Sequence, residues 1–301
     1  MSNIPERLKE PKILRWLAAQ RQLYDEEKRA ISIWITITLL IALAGTGLAG
    51  TLENFTPWFV FLSVLVVVAE IIILPKLEQK RDLAARIQEM IDCELFQLPW
   101  NDALAPRPDN DLHHIIDDAV QRFEKRKHLD QEWEELRTWY ESPALPDLPL
   151  HQARVVCQLE NVRWDSRQRR AWMKVVLALG AAVVMAIIGI GLAMNWRFQD
   201  FFGIAMLLSL PVLMLMIEHV RAHAKAAERL DYLKIVGRAL CHDAGKMTKE
   251  QEEEILLRTR ELQSEIYHHR KDDVPVFSWF YGIRKSKNKL ASTKDVDPCL
   301  L

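Results

Sequence analysis

What the chain lacks narrows its chemistry first. Its 301 residues hold four cysteines, Cys93, Cys157, Cys241 and Cys299, and no two of them form a CxxC pair. That spacing excludes a zinc ribbon and a redox dithiol, and Cys299, two residues from the end, fits no prenylation box. The ten glycines build no Gly-rich phosphate loop and no GxSxG nucleophile elbow. Neither sign of charge is in excess: 40 Lys and Arg stand against 41 Asp and Glu, a net charge of −1. Such a balance argues against a dedicated nucleic-acid binder. Charge is nearly missing from two long stretches. Only Glu53 and Glu70 are charged between Ile31 and Leu74, and only Arg197 and Asp200 between Val175 and Ile217. A single soluble domain is thereby excluded.

What fills those stretches is apolar. Ile31–Gly50, Trp58–Leu74, Val175–Met194 and Phe201–Ile217 each have the roughly 17–20 residues that a hydrocarbon core about 30 Å thick demands. The loop Thr51–Pro57 has no Lys or Arg, and the turn at Trp196–Arg197 has one basic residue. The opposite flanks are rich in them: Arg15, Arg21, Lys28, Arg29; Lys76, Lys80, Arg81; Arg167, Arg169, Arg170, Lys174; Arg221, Lys225. This bias puts both termini and the long middle segment in the cytoplasm, where the thiols stay reduced. Trp58, Phe59, Trp196 and Phe198 stand where interfacial aromatics belong. The first run lies behind thirty residues and reads as an uncleaved anchor.

The expected fold is an all-α membrane protein, with four transmembrane helices in two hairpins and a helical cytoplasmic domain. Residues 1–30 read as an N-terminal amphipathic helix, 31–74 as the first hairpin and 75–174 as the cytoplasmic helical domain. Residues 175–217 read as the second hairpin, 218–282 as C-terminal helices and 283–301 as a mobile tail. Leu83, Ile87, Met90 and Ile91 form one stripe, and Ala222, Ala226, Leu230, Leu233, Val236 and Leu240 another. Gly245 is a stop signal, and a capping box at Thr248–Gln251 opens a helix to about His269. Turn-rich stretches at Leu98–Pro108 and Ser142–Pro149 bracket a polar helical segment, roughly Leu112–Tyr140. A weak repeat relates YDEEKR (Tyr24–Arg29), which leads into the first hairpin, to WDSRQR (Trp164–Arg169), which leads into the second.

Five segments carry a resemblance, in order around the apolar runs. LAAQRQLYDEEKR precedes the first, and DCELFQLPWND follows the second. LPLHQARVVCQLENVRWDSRQRR leads into the third, and LQSEIYHHR with FSWFY closes the set. Together they resemble the SMODS-associated four-transmembrane effectors of CBASS, the cyclic-oligonucleotide antiphage defence, over about Ile4 to Tyr281. Glu27 departs from the pattern, standing where a small residue is expected before Lys28–Arg29. The resemblance implies an inner-membrane, pore-forming effector triggered by a cyclic nucleotide from a partner nucleotidyltransferase. It implies no resident cofactor and no direct DNA or RNA binding. The alternative is a non-conducting membrane-anchored scaffold or sensor that acts through protein contacts.

A pore needs several copies, because four helices close into a solid bundle; the partners expected are therefore the lipid bilayer and further copies of this chain. Small-residue spacings occur at Gly45/Ala49, Ala182/Ala186 and Gly189/Ala193, and the plainer expectation is packing inside the protomer's own bundle. Polar groups that could line or gate a lumen are Ser32, Thr36 and Glu70, with Ser63 and Ser209. A cyclic nucleotide requires cations and aromatic planes. His151, Arg154, Arg163 and Trp164 supply both within fourteen residues, and Arg107, Trp139 and Tyr140 sit on or beside the turn-rich loops. Trp100 and Trp139 could equally fill a small helical core. For chemistry the chain offers little. Glu218, His219 and His223 only echo a zinc-hydrolase helix, with the Glu misplaced and no third ligand. No enzyme is expected.

Overall fold

The computed structural model of the chain describes residues 2–49, 56–140, 145–195, 197–200, 206–246, 251–277 and 280. Features expected at Thr51–Phe55, Trp196, Phe201–Ala205, Thr248, Cys299 and the tail lie outside the described residues, as do the side chains of Ser63 and Ser209. Among the described residues every regular element is helical: α1 (Ile4–Arg7), α2 (Pro11–Ala49), α3 (Thr56–Phe96), α4 (Asn110–Phe123), α5 (Leu129–Arg137), a 3₁₀ turn (Leu145–Asp147), α6 (Leu150–Ala193), α7 (Phe198–Asp200), α8 (Met206–Gly245) and α9 (Glu252–Asp272).

Local chemistry sets the helix ends. Pro11 opens α2, a position where its missing N–H costs nothing. Asp109 caps α4, its carboxylate accepting from the Leu112 N–H at 2.9 Å. Helix α3 ends with Gln97 at φ 51°, and the Leu98 N–H returns to the Cys93 carbonyl at 3.0 Å, the Schellman closure. The Phe96 carbonyl accepts from Arg154 Nε at 2.6 Å. Helix α9 starts on Glu252, Glu253 and Glu254 and ends on His269, Arg270 and Lys271, which complements its dipole at both ends.

One sequence expectation needs correction, and one helix outruns its apolar run. The apolar run ending at Pro75 does not end a helix: α3 continues through Pro75 to Phe96. A proline inside a helix costs about 3 kcal/mol, and packing below it offsets that, because Ala84, Ala85, Ile87, Ile91 and Leu95 are all buried. The polar segment Leu112–Tyr140 is not one helix but two. The chain breaks after Phe123 so that α5 can fold back, with Trp133 edge-on to Phe123 at 5.2 Å. Arg126, at the break, reaches Asp25 at 3.0 Å and Glu132 at 2.5 Å.

Two antiparallel hairpins dominate the packing, α2 with α3 and α6 with α8; α4 and α5 lie along α2, and α9 lies against α3, α6 and α8. One main core joins Ile13, Leu17, Ile87, Ile91, Phe123, Leu230, Leu233 and Ile266. Gly237 lets α6 and α8 approach: a Cβ there would meet Leu159 Cδ1 at 3.1 Å. The core stops where charge stops. Ile33, Leu40, Trp58, Ile71, Leu177, Met185 and Leu192 are all exposed.

By length and composition, two described helices can cross a bilayer, Pro57–Phe96 and Leu150–Ala193. Residues 31–49 of the first apolar run form the far half of α2, and α8 begins at Met206, within the fourth. At 1.5 Å per residue, the 44 residues of α6 extend about 66 Å, twice the hydrocarbon thickness. A second correction concerns the small residues. Ala182, Ala186, Gly189 and Ala193 are all exposed on one face of α6, and a Cβ at Gly189 would meet nothing within 4 Å. That face is not packed inside the protomer.

Arg154→Ala removes the charged donor that caps α3. A bond of that kind contributes about 1.5–3 kcal/mol. The variant is expected to denature earlier than wild type in a thermal melt followed by circular dichroism, and an unchanged midpoint would deny Arg154 its capping role.

Candidate functional site

The sequence candidates do not assemble as one cluster. His151 and Arg154 stand nine or more residues before Arg163 and Trp164 on one continuous helix, so about 14 Å of helix axis separates Arg154 from Arg163. His151 lies against the Ala244 carbonyl and near Glu252, and burial lowers its pKa. Arg154 is buried at the end of α3, and burial lowers its pKa too. Arg107 is exposed and grips Asp102 with Nε and Nη2 at 2.7 and 2.9 Å. Ser32 and Thr36 turn their hydroxyls onto the carbonyls of Lys28 and Ser32, each at 2.8 Å, the usual back-bonding of helical Ser and Thr. Glu70 is half-buried, with Glu218 close enough to repel it. Trp100 donates to the Ala105 carbonyl at 3.1 Å and packs on the core.

Trp139 and Tyr140 belong to a different place, the seam between the two hairpins, beside the stretch of α6 that carries Arg163 and Trp164. Arg21, Tyr24, Asp25 and Lys28 follow helical spacing down one face of α2, and Asn161, Trp164, Asp165 and Gln168 do so on α6. Asp165 acts electrostatically on both Tyr24 and Lys28. The two related segments, YDEEKR and WDSRQR, thus meet. Tyr140 is buried; it accepts from Asn161 Nδ2 at 2.8 Å and donates to Asp92 Oδ1 at 3.4 Å. The Arg21 guanidinium sits 5.9 Å from the Trp139 ring centroid. Arg163 is buried, and its carbonyl accepts from Arg167 Nε at 3.4 Å.

The seam rests on a connected polar floor. Arg270 Nη1 donates to Asp92 Oδ2 at 2.5 Å. Gln263 donates to the same oxygen and to Glu89 Oε2, both at 2.9 Å. Arg260 Nη2 holds Glu89 Oε1 at 2.5 Å, and Gln158 donates to Gln263 Oε1 at 3.0 Å. Glu27, the residue that departs from the family pattern, is fully buried and accepts from Arg81 Nε at 2.6 Å. Burial pushes its pKa up against the pull of Arg81.

Below the seam, at the base of the second hairpin, lies a buried junction. Arg169, on α6, holds Asp165 at 3.1 Å and donates Nη1 to the Val274 carbonyl at 2.8 Å. The same nitrogen faces His223 Nδ1 at 3.2 Å. A guanidinium only donates, so Nδ1 of His223 accepts and its proton sits on Nε2. That Nε2 faces His219 Nε2 at 3.1 Å, which also receives the Trp172 indole N–H at 3.0 Å. Both imidazoles are therefore neutral, with tautomers fixed by Arg169 and Trp172. Burial and Arg169 lower His219 to about 4; burial, His219 and Arg169 lower His223 to about 2. Burial would raise Asp165, but Arg169 and His269 outweigh it and hold its carboxyl well below the usual range. Val276, Phe277 and Phe280 close over Trp172. Among the described residues no three potential ligands gather around a metal site, and the His219–His223 pair serves Arg169 and Trp172 instead.

Sequence reasoning missed Tyr24, Lys28, Asp92, Asp165, Arg169 and Arg270 as site residues. The signal was present: all six fall inside the segments that carry the family resemblance.

The family model of the SMODS-associating 4TM effector domain matches residues 2–298. Over 284 residues the chain is 23% identical to a protein of Bacillus cereus strain VD146 named a probable CBASS effector molecule, covering 90% of each chain. No solved structure matches.

The junction sets a pH dependence. Folding lowers both histidine pKa values, so the unfolded chain binds more protons and stability is lost as pH falls. The loss begins near pH 6.5, the unfolded value, and the His219 part is complete near pH 4. Asp165 contributes only lower, below the ordinary carboxylate pKa near 3.9. The melting temperature of the full chain in detergent should fall more between pH 7.5 and 4.5 for wild type than for a His219→Phe/His223→Leu variant. Parallel curves would contradict neutral, buried imidazoles.

Proposed function

We propose that the chain, which belongs to the SMODS-associating 4TM effector family, is the membrane effector of a cyclic-oligonucleotide antiphage system. A cyclic oligonucleotide made by a nucleotidyltransferase binds the cytoplasmic helices. Several copies then assemble and permeabilise the bacterial inner membrane. The name of the Bacillus cereus relative supports the CBASS setting, and an effector domain is not a class of enzyme. No resident cofactor is needed.

One observation carries this reading. Helices α2, α3, α6 and α8 run unbroken from the polar bundle into apolar, exposed segments. No hinge loop intervenes, so a ligand that shifts the hairpins in the cytoplasm must shift them in the membrane. The exposed Ala182–Ala193 face of α6 supports assembly, since small residues let helix backbones approach closely in lipid. The Lys/Arg distribution supports four spans with both termini cytoplasmic.

Two measurements test this. Reporter fusions at Asn54 and Gln199 should read periplasmic, and fusions at Asp109 and the C-terminus cytoplasmic; a cytoplasmic signal at Asn54 would break the topology. In dye-loaded liposomes, release should follow one of a panel of cyclic di- and trinucleotides. Gly189→Leu, at a position where an added Cβ meets nothing within 4 Å, should abolish release and leave the melting temperature unchanged. Full release from Gly189→Leu would exclude that face from assembly, and no release from wild type with any ligand would favour the scaffold alternative.

A further inference from the structure

One cation in the seam, Lys28, differs from five paired arginines around it. Arg21 pairs with Glu135 at 3.2 Å, Arg81 with Glu27 at 2.6 Å, Arg126 with Asp25 at 3.0 Å, Arg169 with Asp165 at 3.1 Å and Arg270 with Asp92 at 2.5 Å. Lys28 has no carboxylate within 4.0 Å among the described residues; its Nζ instead lies 5.9 Å from the centroid of the Tyr24 ring. The adjacent Arg29 is exposed, whereas Lys28 is half-buried. Enclosure pushes the Lys28 ammonium pKa down, against the influence of Asp25, Glu27 and Asp165. An enclosed charge without a close counter-ion is costly, and the usual remedy is a partner that arrives as a ligand.

The carboxylates nearby are already engaged. Asp25 is held by Arg126, Glu27 by Arg81, and Asp165 by Arg169 and by His269 Nε2 at 2.5 Å. They leave the Lys28 ammonium as a cationic point of a seam whose wall carries the Tyr24 ring. A phosphate oxygen fits such a point, because an ammonium offers three donors to an anion, and a nucleobase fits an aromatic wall.

We propose that Lys28 is the anchoring cation of a site for a phosphate-bearing anion in the seam between the α2–α3 and α6–α8 hairpins. This site deepens the effector reading above and rests on it only for the identity of the natural ligand. Two sources share the chemistry. Lys28 stands three residues before the first apolar run, so a lipid headgroup could reach it from the membrane and a cyclic nucleotide from the cytoplasm. An anion there alters the field at Asp165, which Arg169 and His269 hold, and so couples the seam to the base of the second hairpin.

The test uses the full chain in lipid-free detergent with sodium pyrophosphate as the probe, followed by calorimetry. Wild type should bind, Lys28→Met should bind at least tenfold more weakly, and Lys28→Arg should bind as wild type. Arg29→Met should also bind as wild type, which separates a built site from general surface charge. Should Lys28→Met fail to fold, Lys28→Gln replaces it. Equal affinity in Lys28→Met, an equal loss in Arg29→Met, or no binding by wild type overturns the site. Phosphatidylglycerol added to the detergent identifies a headgroup source if it competes with pyrophosphate at Lys28. A panel of cyclic dinucleotides identifies the cytoplasmic source if binding is lost in Lys28→Met. Pyrophosphate binding through Lys28 with no cyclic nucleotide bound keeps the site and removes the cyclic-nucleotide reading. Cyclic nucleotide binding that ignores Lys28 removes the site and keeps the reading.

Discussion

Arg169 is the contact on which the lower half of the protein depends. It is buried at 4% exposure and binds Asp165 on its own helix, His223 on α8 and the Val274 carbonyl beyond α9. A buried guanidinium is stable only with its charge balanced and its donors occupied, and stripping one partner from such a pair costs about 3–5 kcal/mol. Because it can only donate, Arg169 also dictates the protonation of both histidines behind it. One side chain thus fixes where α6, α8 and the chain after α9 stand relative to each other. All of this happens within a few residues of the third and fourth apolar runs.

That position gives the polar interior its functional meaning. Asp165 belongs to the junction through Arg169 and His269, and to the seam through its influence on Tyr24 and Lys28. Arg270 and Asp92 extend the same network to Tyr140 and α3. At the level where they leave the bundle, the hairpins are therefore held together by charge and by the apolar cluster around Trp172, against which Ile31 and Ile35 of α2 pack. Charged contacts respond to an arriving anion in a way that a leucine core does not.

The sequence made some of this legible. Apolar runs, basic flanks and turn clusters place the helices and their hairpin order, because hydrophobic length and periodicity are local properties. Pro75 lies inside α3, where a proline's local preference to end a helix yields to the packing of Ala84, Ile87 and Ile91 beneath it. The open face at Ala182 and Gly189 misleads. In lipid the inward and outward faces of a helix are equally apolar, so pattern cannot assign them. For the site candidates the sequence leaves direction open. Arg154 and Lys28 are alike as sequence, one basic residue near an aromatic on a helix. Only the fold reveals that Arg154 is occupied by the Phe96 carbonyl and that Lys28 is not paired within 4.0 Å among the described residues. The family-like segments held the right residues, and tertiary contact alone distributes their roles.

Arg169 ties the chain beyond α9 to the base of the second hairpin. Hydrogen exchange in lipid nanodiscs, comparing wild type with Arg169→Gln, tests this tie without any ligand. Amides of Val274, Val276 and Phe277 should exchange at least tenfold faster in the variant, with protection of the cytoplasmic parts of α2 and α3 unchanged. Unaltered protection at Val274–Phe277 would contradict it.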